Sequence, residues 1–125
     1  MIALDASALL AFLFRENGHE QVSGRLADAC MSAVNLSEVL GRFFRDGHDG
    51  REAQRRILGL GLDIVPFTQE SAAACAALVP ATRSLGLSLG DRACLSLAAD
   101  RGIPAWTADQ AWKRLGLPVE IQVIR

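Results

Sequence analysis

Short apolar runs alternate with helix-like patterns along the whole chain. Five of these runs predict β-strands, at residues 2–5, 30–33, 62–67, 104–107 and 119–124. Between them, apolar residues spaced three and four positions apart predict helices with one buried face. The predicted helices cover residues 6–16, 19–29, 35–46, 49–60, a stretch from 68 that breaks at Pro80, 91–100 and 109–115. This alternation is typical of an α/β fold, a parallel sheet with helices on both faces.

The first strand and the length of the chain predict how the domain is organised. Residues 2–4 are apolar on both faces of the strand, which favours a place in the centre of the sheet. The 125 residues contain no repeat, no low-complexity segment and no long linker, so we expect one domain over residues 1–125. The apolar run that ends at Phe14 lacks a basic leader and is shorter than the roughly 20 residues of a membrane span. We therefore expect a cytoplasmic protein that has no contact with a membrane.

The composition and charge of the chain argue against some classes of function. Apolar residues make up 50% and charged residues 22%, and the formal net charge is -1. This balance argues against a protein that coats nucleic acid without specificity, although it is compatible with a local basic groove. Three cysteines in apolar surroundings, Cys30, Cys75 and Cys94, form no metal-binding or disulfide pattern, so we expect buried free thiols.

Four acidic residues stand near predicted helix starts, each after a strand or a turn: Asp5, Glu38, Asp91 and Asp109. Because the carboxyl ends of parallel strands meet at one edge of a sheet, these side chains can converge there. Clustered carboxylates suit a hard divalent cation such as Mg²⁺ or Mn²⁺. Such a site can activate water and neutralise the charge of a phosphodiester that is being cleaved.

Helix capping is the competing interpretation of these acids. Asn35 with Glu38, and Ser88 with Asp91, have the spacing of capping boxes, and Glu38 can also pair with Arg42 one turn on. Asp91 falls on an apolar helical face, and Asp5 ends an apolar strand, so both are hard to explain as solvated charges. Spacing alone leaves metal binding and capping both open.

Other polar and aromatic residues offer weaker signals. Ser7 and Thr107 place hydroxyls near the acids, but no His or Lys is positioned to activate them, which favours supporting roles. Trp106 and Trp112 favour core or subunit packing over base stacking. The basic residues of one predicted helix form either a phosphate-facing patch or, as we favour, a solvated face: Arg51, Arg55 and Arg56.

Four segments of the chain resemble the PIN-domain nucleases. They are Leu-Asp-Ala-Ser at 4–7, Asn-Leu-Ser-Glu-Val at 35–39, Leu-Ser-Leu-Gly-Asp at 87–91 and Trp-Thr-Ala-Asp-Gln-Ala-Trp at 106–112. The length and the order of elements are similar to those of the VapC-type toxins of bacterial toxin–antitoxin pairs. The resemblance extends along the whole chain, and the four acids in this order make it specific.

The resemblance implies a three-layer α/β/α fold around a central parallel five-stranded sheet. It implies Mg²⁺- or Mn²⁺-dependent cleavage of structured RNA, either tRNA or ribosomal RNA. By motif, the catalytic and metal-binding roles would fall to Asp5, Glu38, Asp91 and Asp109. It also implies a homodimer, or a hetero-oligomer with a small antitoxin protein that blocks the site.

Two other functions compete with a nuclease. One is a catalytically silent PIN-like module that serves binding, and the other is a phospho-acceptor signalling domain. The second needs a lysine opposite the acceptor, whereas the only lysine is Lys113, in a late helix. The first helix bears more apolar side chains than one buried face needs, so we expect a partner to cover part of it: Leu9, Leu10, Phe12, Leu13 and Phe14.

Overall fold

A computed structural model describes all residues, 1–125, and contains one sheet of five parallel strands. The strands are β1 (Ile2–Leu4), β2 (Ala29–Ser32), β3 (Asp63–Val65), β4 (Ala105–Thr107) and β5 (Ile121–Val123). Their order across the sheet is β3-β2-β1-β4-β5, and every neighbouring pair is parallel. The predicted α/β class and the central place of the first strand are confirmed.

Seven α-helices connect and cover the strands. They are α1 (Ala6–Leu13), α2 (His19–Ser23), α3 (Ala33–Arg45), α4 (Gly50–Leu58), α5 (Gln69–Ala77), α6 (Val79–Thr82) and α7 (Leu89–Arg101). Short 3₁₀ turns lie at Leu26–Asp28, Arg83–Leu85 and Gln110–Arg114. No helix is long and apolar enough to cross a membrane.

The sheet separates two apolar cores, as the alternation of side chains along a strand requires. Ile2 and Leu4 of β1 pack with residues of α1 to α4, whereas Ala3 faces Leu95 and Trp112 on the other side. The three layers are therefore helix, sheet and helix, which confirms the predicted architecture. All three cysteines are free and buried, also as predicted.

The chain reverses its direction of travel across the sheet at β1. It runs outward through β2 to β3, then crosses back to β4 on the opposite side of β1. In open parallel sheets this reversal opens a crevice at the carboxyl ends of the strands. The loops after β1 and β4 border that crevice, and they contain Asp5 and Asp109.

Several predicted element boundaries are wrong, and the helix predicted over 109–115 is only the 3₁₀ turn Gln110–Arg114. The helix predicted over 19–29 ends at Ser23, and the 3₁₀ turn Leu26–Asp28 lies between it and β2. The helix predicted from residue 35 begins at Ala33, where the Ser32 side chain accepts a hydrogen bond from the Val34 amide. The predicted break near Pro80 is real, but it falls at Leu78, and Pro80 occupies the first turn of α6, where its missing N–H is harmless.

The apolar excess on α1 is largely covered by the chain itself. Leu9 is fully buried, and Leu10, Phe12 and Leu13 pack against the same core as partly buried side chains. Phe14 stacks on Phe43 of α3 with ring centres 5.2 Å apart. α3 thus covers much of this surface, and the expectation that a partner covers the partly exposed remainder stays a prediction.

An acidic cleft as the candidate functional site

The four predicted acids line one cleft at the carboxyl edge of the sheet. This acidic cleft has a volume of about 410 Å³, and Asp5, Glu38, Asp91 and Asp109 all contribute to its wall. They come from four separate elements, the ends of β1 and β4 and the N-terminal halves of α3 and α7. None of the four is in an ion pair, although the rest of the chain contains eight. The structure thus brings together the residues that the sequence singled out.

Asp5 is the most buried of the four, only 4% exposed, and it is held by three donors. The Ser7 hydroxyl and the Ala8 amide donate to Oδ1 at 2.7 and 2.8 Å, and the Thr107 hydroxyl donates to Oδ2 at 2.5 Å. The predicted supporting roles of Ser7 and Thr107 agree with these contacts. Asp5 also caps α1. The same side chain therefore both caps a helix and lines the cleft.

Burial raises the pKa of Asp5 to about 6, and the negative charge of Asp91 acts in the same direction. The hydrogen bonds from Thr107, Ala8 and Ser7 favour the ionised form but do not fully compensate for lost hydration. A metal-free protein at neutral pH therefore holds a destabilising negative charge at the floor of the cleft. A cation in the cleft would relieve that cost.

Asp91 and Ser88 form a full capping box at the start of α7. The Ser88 amide donates to Asp91 Oδ2 at 2.9 Å, and the Asp91 amide donates to the Ser88 hydroxyl at 3.2 Å. The predicted capping interpretation is confirmed here. It leaves Oδ1 of the half-buried Asp91 without a protein donor, and Asp91 is one of the residues that line the cleft.

Glu38 is held differently from the other acids, and the predicted capping box with Asn35 is wrong. Because α3 begins at Ala33, Asn35 lies inside the helix, and its Nδ2 donates to Glu38 Oε1 at 2.8 Å. The same Nδ2 donates to the Gly90 carbonyl at 3.0 Å and so ties α3 to α7. The proposed Glu38–Arg42 pair is also absent, since Arg42 binds Asp46 at 2.8 Å instead.

Gly90 makes room for the Glu38 carboxylate. A Cβ atom built at position 90 would overlap all three atoms of that carboxyl group. Asn35 is 1% exposed, and its Oδ1 accepts no hydrogen bond. Asn35 is the residue whose role the sequence did not reveal, and its i,i+3 spacing from Glu38 was the available signal.

Asp109 is exposed and caps the 3₁₀ turn that follows β4. Its Oδ1 accepts from the Ala111 amide at 2.9 Å, and its own amide donates to the Thr107 hydroxyl at 3.0 Å. Thr107 therefore links Asp5 and Asp109 through one side chain. Oδ2 of Asp109 accepts no hydrogen bond from the chain.

The donors of the acidic cleft suit a hard, hydrated cation. No three Asp, Glu, His or Cys side chains are close enough to enclose a metal ion by themselves. Mg²⁺ does not need such a cage, because it binds through one or two carboxylates and retains several waters. The carboxylates of the cleft offer oxygen ligands, among them Oδ2 of Asp109, which accepts no hydrogen bond, and this donor type fits Mg²⁺ or Mn²⁺.

The positions of the α4 arginines and of Trp112 decide between the roles that the sequence left open for them. Arg51, Arg55 and Arg56 lie on the exposed side of α4, away from the acidic cleft, and Arg55 pairs with Glu52. Trp112 is fully buried, as expected for a core residue. The two arginines that do line the cleft are Arg42 and Arg45 of α3; the sequence indicated Arg42 only as a partner of Glu38 and gave no role to Arg45.

Several solved structures with the same architecture are of bacterial toxins or toxin–antitoxin complexes. A toxin–antitoxin complex from Klebsiella pneumoniae matches with a TM-score of 0.76 and 16% identity, over 100% of this chain and 98% of that chain. VapC20 from Mycobacterium tuberculosis, a sarcin–ricin loop cleaving toxin, matches with a TM-score of 0.74 and 18% identity, over 94% and 96%. DNA-bound VapBC from Salmonella typhimurium matches with a TM-score of 0.71 and 14% identity, over 99% and 98%.

At these identities the structural matches establish a shared fold. A search of curated proteins finds no significant match to this chain. The model of the PIN domain family matches residues 2–117, which is nearly the whole length and includes all four acids of the cleft. The chain therefore belongs to the PIN domain family.

Proposed function

We propose that residues 1–125 act as a single PIN domain, a Mg²⁺- or Mn²⁺-dependent endoribonuclease that is the toxin of a toxin–antitoxin pair. The observation that carries the proposal is the acidic cleft, in which four carboxylates converge without a single cationic partner of their own. Membership of the PIN family and the toxin structures with the same fold support it.

We assign metal binding to the four acids, and other side chains hold these acids in position. Asp5, Asp91, Glu38 and Asp109 would form the metal site, one or two of them binding the cation directly and the others through its waters, and the cation would supply an activated water and neutralise phosphodiester charge. Ser7 and Thr107 fix Asp5, Asn35 orients Glu38, and Ser88 fixes Asp91. Preorganised donors of this kind keep the carboxylates in place before substrate arrives, so little reorganisation is needed during cleavage.

Structured RNA is the substrate class that we propose, either tRNA or ribosomal RNA. The VapC20 structure is that of a toxin that cleaves the sarcin–ricin loop, and its fold matches 94% of this chain. The acidic cleft is open to solvent and lies at one edge of the sheet, so a loop of RNA can reach it without rearrangement of the fold.

An antitoxin protein is the partner that we propose, in a hetero-oligomer or on a homodimer of this chain. The matched complexes from Klebsiella and Salmonella contain toxin and antitoxin together. An apolar groove of about 390 Å³ on α3, formed by Leu36, Leu40 and Phe44, lies on the helix that also carries Glu38. Phe44 is 61% exposed, an unfavourable state that a partner would relieve.

The competing interpretation is a catalytically silent domain in which the acids only cap helices. Asp5, Asp91 and Asp109 each do cap a helical segment. Capping alone does not explain why the three caps and Glu38 share one cleft. A direct test of cleavage separates the two interpretations.

The test uses purified chain with total tRNA and ribosomal RNA, in Mg²⁺ or in EDTA. We expect cleavage in Mg²⁺ alone, and a loss of at least about 100-fold in Asp91→Asn, the upper range for removing groups that tune a metal site. Asp63→Asn, at the opposite edge of the sheet, is the matched control and should cleave normally. Wild-type protein that leaves both RNAs intact in Mg²⁺ and in Mn²⁺ would contradict the proposal.

Growth of bacteria tests the toxin assignment separately. Expression of the chain without a partner should slow growth, and Asp91→Asn should restore it while Asp63→Asn does not. Equal growth of cells that express comparable amounts of wild type and Asp91→Asn would show that the acidic cleft is not the source of toxicity.

A further inference from the structure

Two guanidinium groups line the acidic cleft beside the carboxylates. Arg42 and Arg45 are the basic residues of its wall, and both come from α3. They follow Glu38 by four and seven positions, so all three side chains share one face of the helix. The cleft therefore has a cationic end next to its anionic end.

Asp46 forms an ion pair with each of the two arginines, and with Arg42 also a hydrogen bond. Its Oδ2 accepts from Arg42 Nε at 2.8 Å, and its Oδ1 lies 3.6 Å from Arg45 Nε. Arg42 is also stacked over the Phe14 ring, with its guanidinium carbon 5.1 Å from the ring centre. Because Asp46 contacts both arginines through Nε, their terminal N–H groups stay free for another anion.

The remaining basic residues cannot supply this charge to the cleft. Arg51, Arg55 and Arg56 line no part of it, and Arg55 is occupied by Glu52. With a net charge of -1, the chain as a whole offers RNA no attraction. A phosphate that approaches four carboxylates is repelled unless local cations offset the repulsion.

We propose that Arg42 and Arg45 form a phosphate-binding pair that holds the RNA backbone next to the carboxylates, and that Asp46 positions both. The inference rests on the proposed ribonuclease function and adds the residues that bind its substrate. Guanidinium groups suit this role, because their planar N–H groups match the oxygens of a phosphate in paired hydrogen bonds. The pair acts on binding, while the carboxylates act on cleavage.

The experiment measures binding of a short single-stranded RNA to full-length Asp91→Asn protein in Mg²⁺, at several salt concentrations. Each phosphate contact contributes about 0.7 to the slope of log K against log salt for single strands. Arg42→Ala/Arg45→Ala should lower that slope by about 1.4. It should also weaken binding by at least about tenfold, because hydrogen bonds to charged groups are strong.

Arg51→Ala/Arg56→Ala is the matched control, since it removes two exposed, unpaired arginines from the neighbouring helix. It should leave the slope within about 0.3 of the parent, well below the effect of one phosphate contact. An unchanged slope in the cleft variant, or an equal fall in the control, would overturn the proposal. An equal loss of affinity for a glutamate-rich peptide of matched charge would also overturn it, because the pair would then be a general anion site.

Lysine variants separate charge from geometry and guard against a folding defect. Arg42→Lys/Arg45→Lys should keep the salt slope but raise KM for cleavage in the otherwise wild-type chain, with kcat little changed. Arg45→Ala alone is the second variant; the Arg45 side chain is 72% exposed, so its loss should leave the fold intact. A fall in kcat with unchanged KM would assign these residues to chemistry and contradict the proposal.

The two proposals can fail independently. RNA binding that depends on Arg42 and Arg45, in a chain that cuts no RNA, would leave the pair standing and refute the nuclease. Cleavage that depends on Asp91 but not on either arginine in binding or KM would refute the pair alone.

Discussion

Carboxylates at the two edges of the sheet differ in whether they form ion pairs. At the amino edge, Asp28 lies 3.3 Å from the chain's amino group and 3.0 Å from Arg25, and Asp63 lies 3.3 Å from Arg101. At the carboxyl edge, four acids line the acidic cleft and none has an ion-pair partner within 4.0 Å. The same residue type is ion-paired at one edge and has no direct ion-pair partner at the other.

The pKa values show what that difference means energetically. The hydrogen bond from Arg25 and the nearby amino group hold the pKa of Asp28 below its ordinary value. Burial raises the pKa of Asp5 to about 6. The first shift stabilises the folded state at neutral pH, whereas the second destabilises it. A fold retains such a destabilising charge where function requires it, which is why perturbed carboxylates mark candidate sites.

The largest expected effect is on the response to Mg²⁺. Asp5→Asn keeps an acceptor for Ser7 and Ala8 while removing the buried charge, so the metal-free variant should be at least as stable as wild type. Mg²⁺ should stabilise wild type by about 2.7 kcal/mol at 100 times Kd, and the variant much less. Thermal melts with and without Mg²⁺ measure both. A wild type indifferent to Mg²⁺, with a destabilised metal-free variant, would show that Asp5 only caps α1.

Position 90 tests whether the placement of Glu38 matters. Gly90→Ala puts a methyl group where the Glu38 carboxylate lies, so Glu38 must swing away and lose its bond from Asn35. We expect cleavage to fall by about tenfold, typical of a disturbed positioning group. Gly41→Ala is the control on α3, since no atom lies near its added Cβ. It should gain up to about 1 kcal/mol of stability with normal cleavage.

An unchanged cleavage rate in Gly90→Ala would show that Glu38 does not contribute to the reaction. A large loss of stability in that variant would instead point to a structural role for the close contact between α3 and α7. The melting temperature therefore accompanies the rate measurement for both glycine variants.

The pH dependence of stability follows from the raised pKa of Asp5, from 3.8 to about 6. The folded state binds this proton more tightly than the unfolded state, so stability falls as pH rises through 6 and is unaffected below about 3.8. Between pH 5 and pH 7 the loss should be on the order of 1 kcal/mol in metal-free wild type. The difference between wild type and Asp5→Asn in urea titrations isolates this contribution. A difference that does not change with pH would contradict the burial of an ionisable Asp5.

The sequence predicted the fold and the four acids because both follow from local patterns. Apolar runs gave the strands, and the position of an acid after a strand places it at the carboxyl edge whatever the helix lengths. The start of α3 was missed because Ser32, not Asn35, satisfies its first amides. Arg42 was assigned to Glu38 by helical spacing, but Asp46 offers the same spacing on the other side.

What the sequence could not show is which residues meet across elements. The bond from Asn35 to the Gly90 carbonyl joins positions 55 residues apart, and that from Thr107 to Asp5 joins positions 102 apart. The presence of Arg42 and Arg45 in the acidic cleft depends on the packing of α3 against α7 and α1. These contacts exist only after the sheet has brought distant segments together.

The smallest expected effect is on a carboxylate at the amino edge. Its removal should change stability and the Mg²⁺ response very little, in contrast to the removal of Asp5 at the carboxyl edge. The Asp63 and Arg101 side chains are 55% and 34% exposed, and an exposed pair contributes about 0.2–1 kcal/mol. Asp63→Asn should therefore lower the free energy of unfolding by less than about 1 kcal/mol. That loss should shrink in about 1 M salt, where screening acts over roughly 3 Å. Mg²⁺ should stabilise Asp63→Asn as much as wild type, since Asp63 lies outside the acidic cleft. Urea titrations in low salt, high salt and Mg²⁺ measure all three quantities on one protein. A Mg²⁺ response that disappears in Asp63→Asn would mean that the ion binds at exposed carboxylates generally, and the contrast between the two edges would then carry no information about the site.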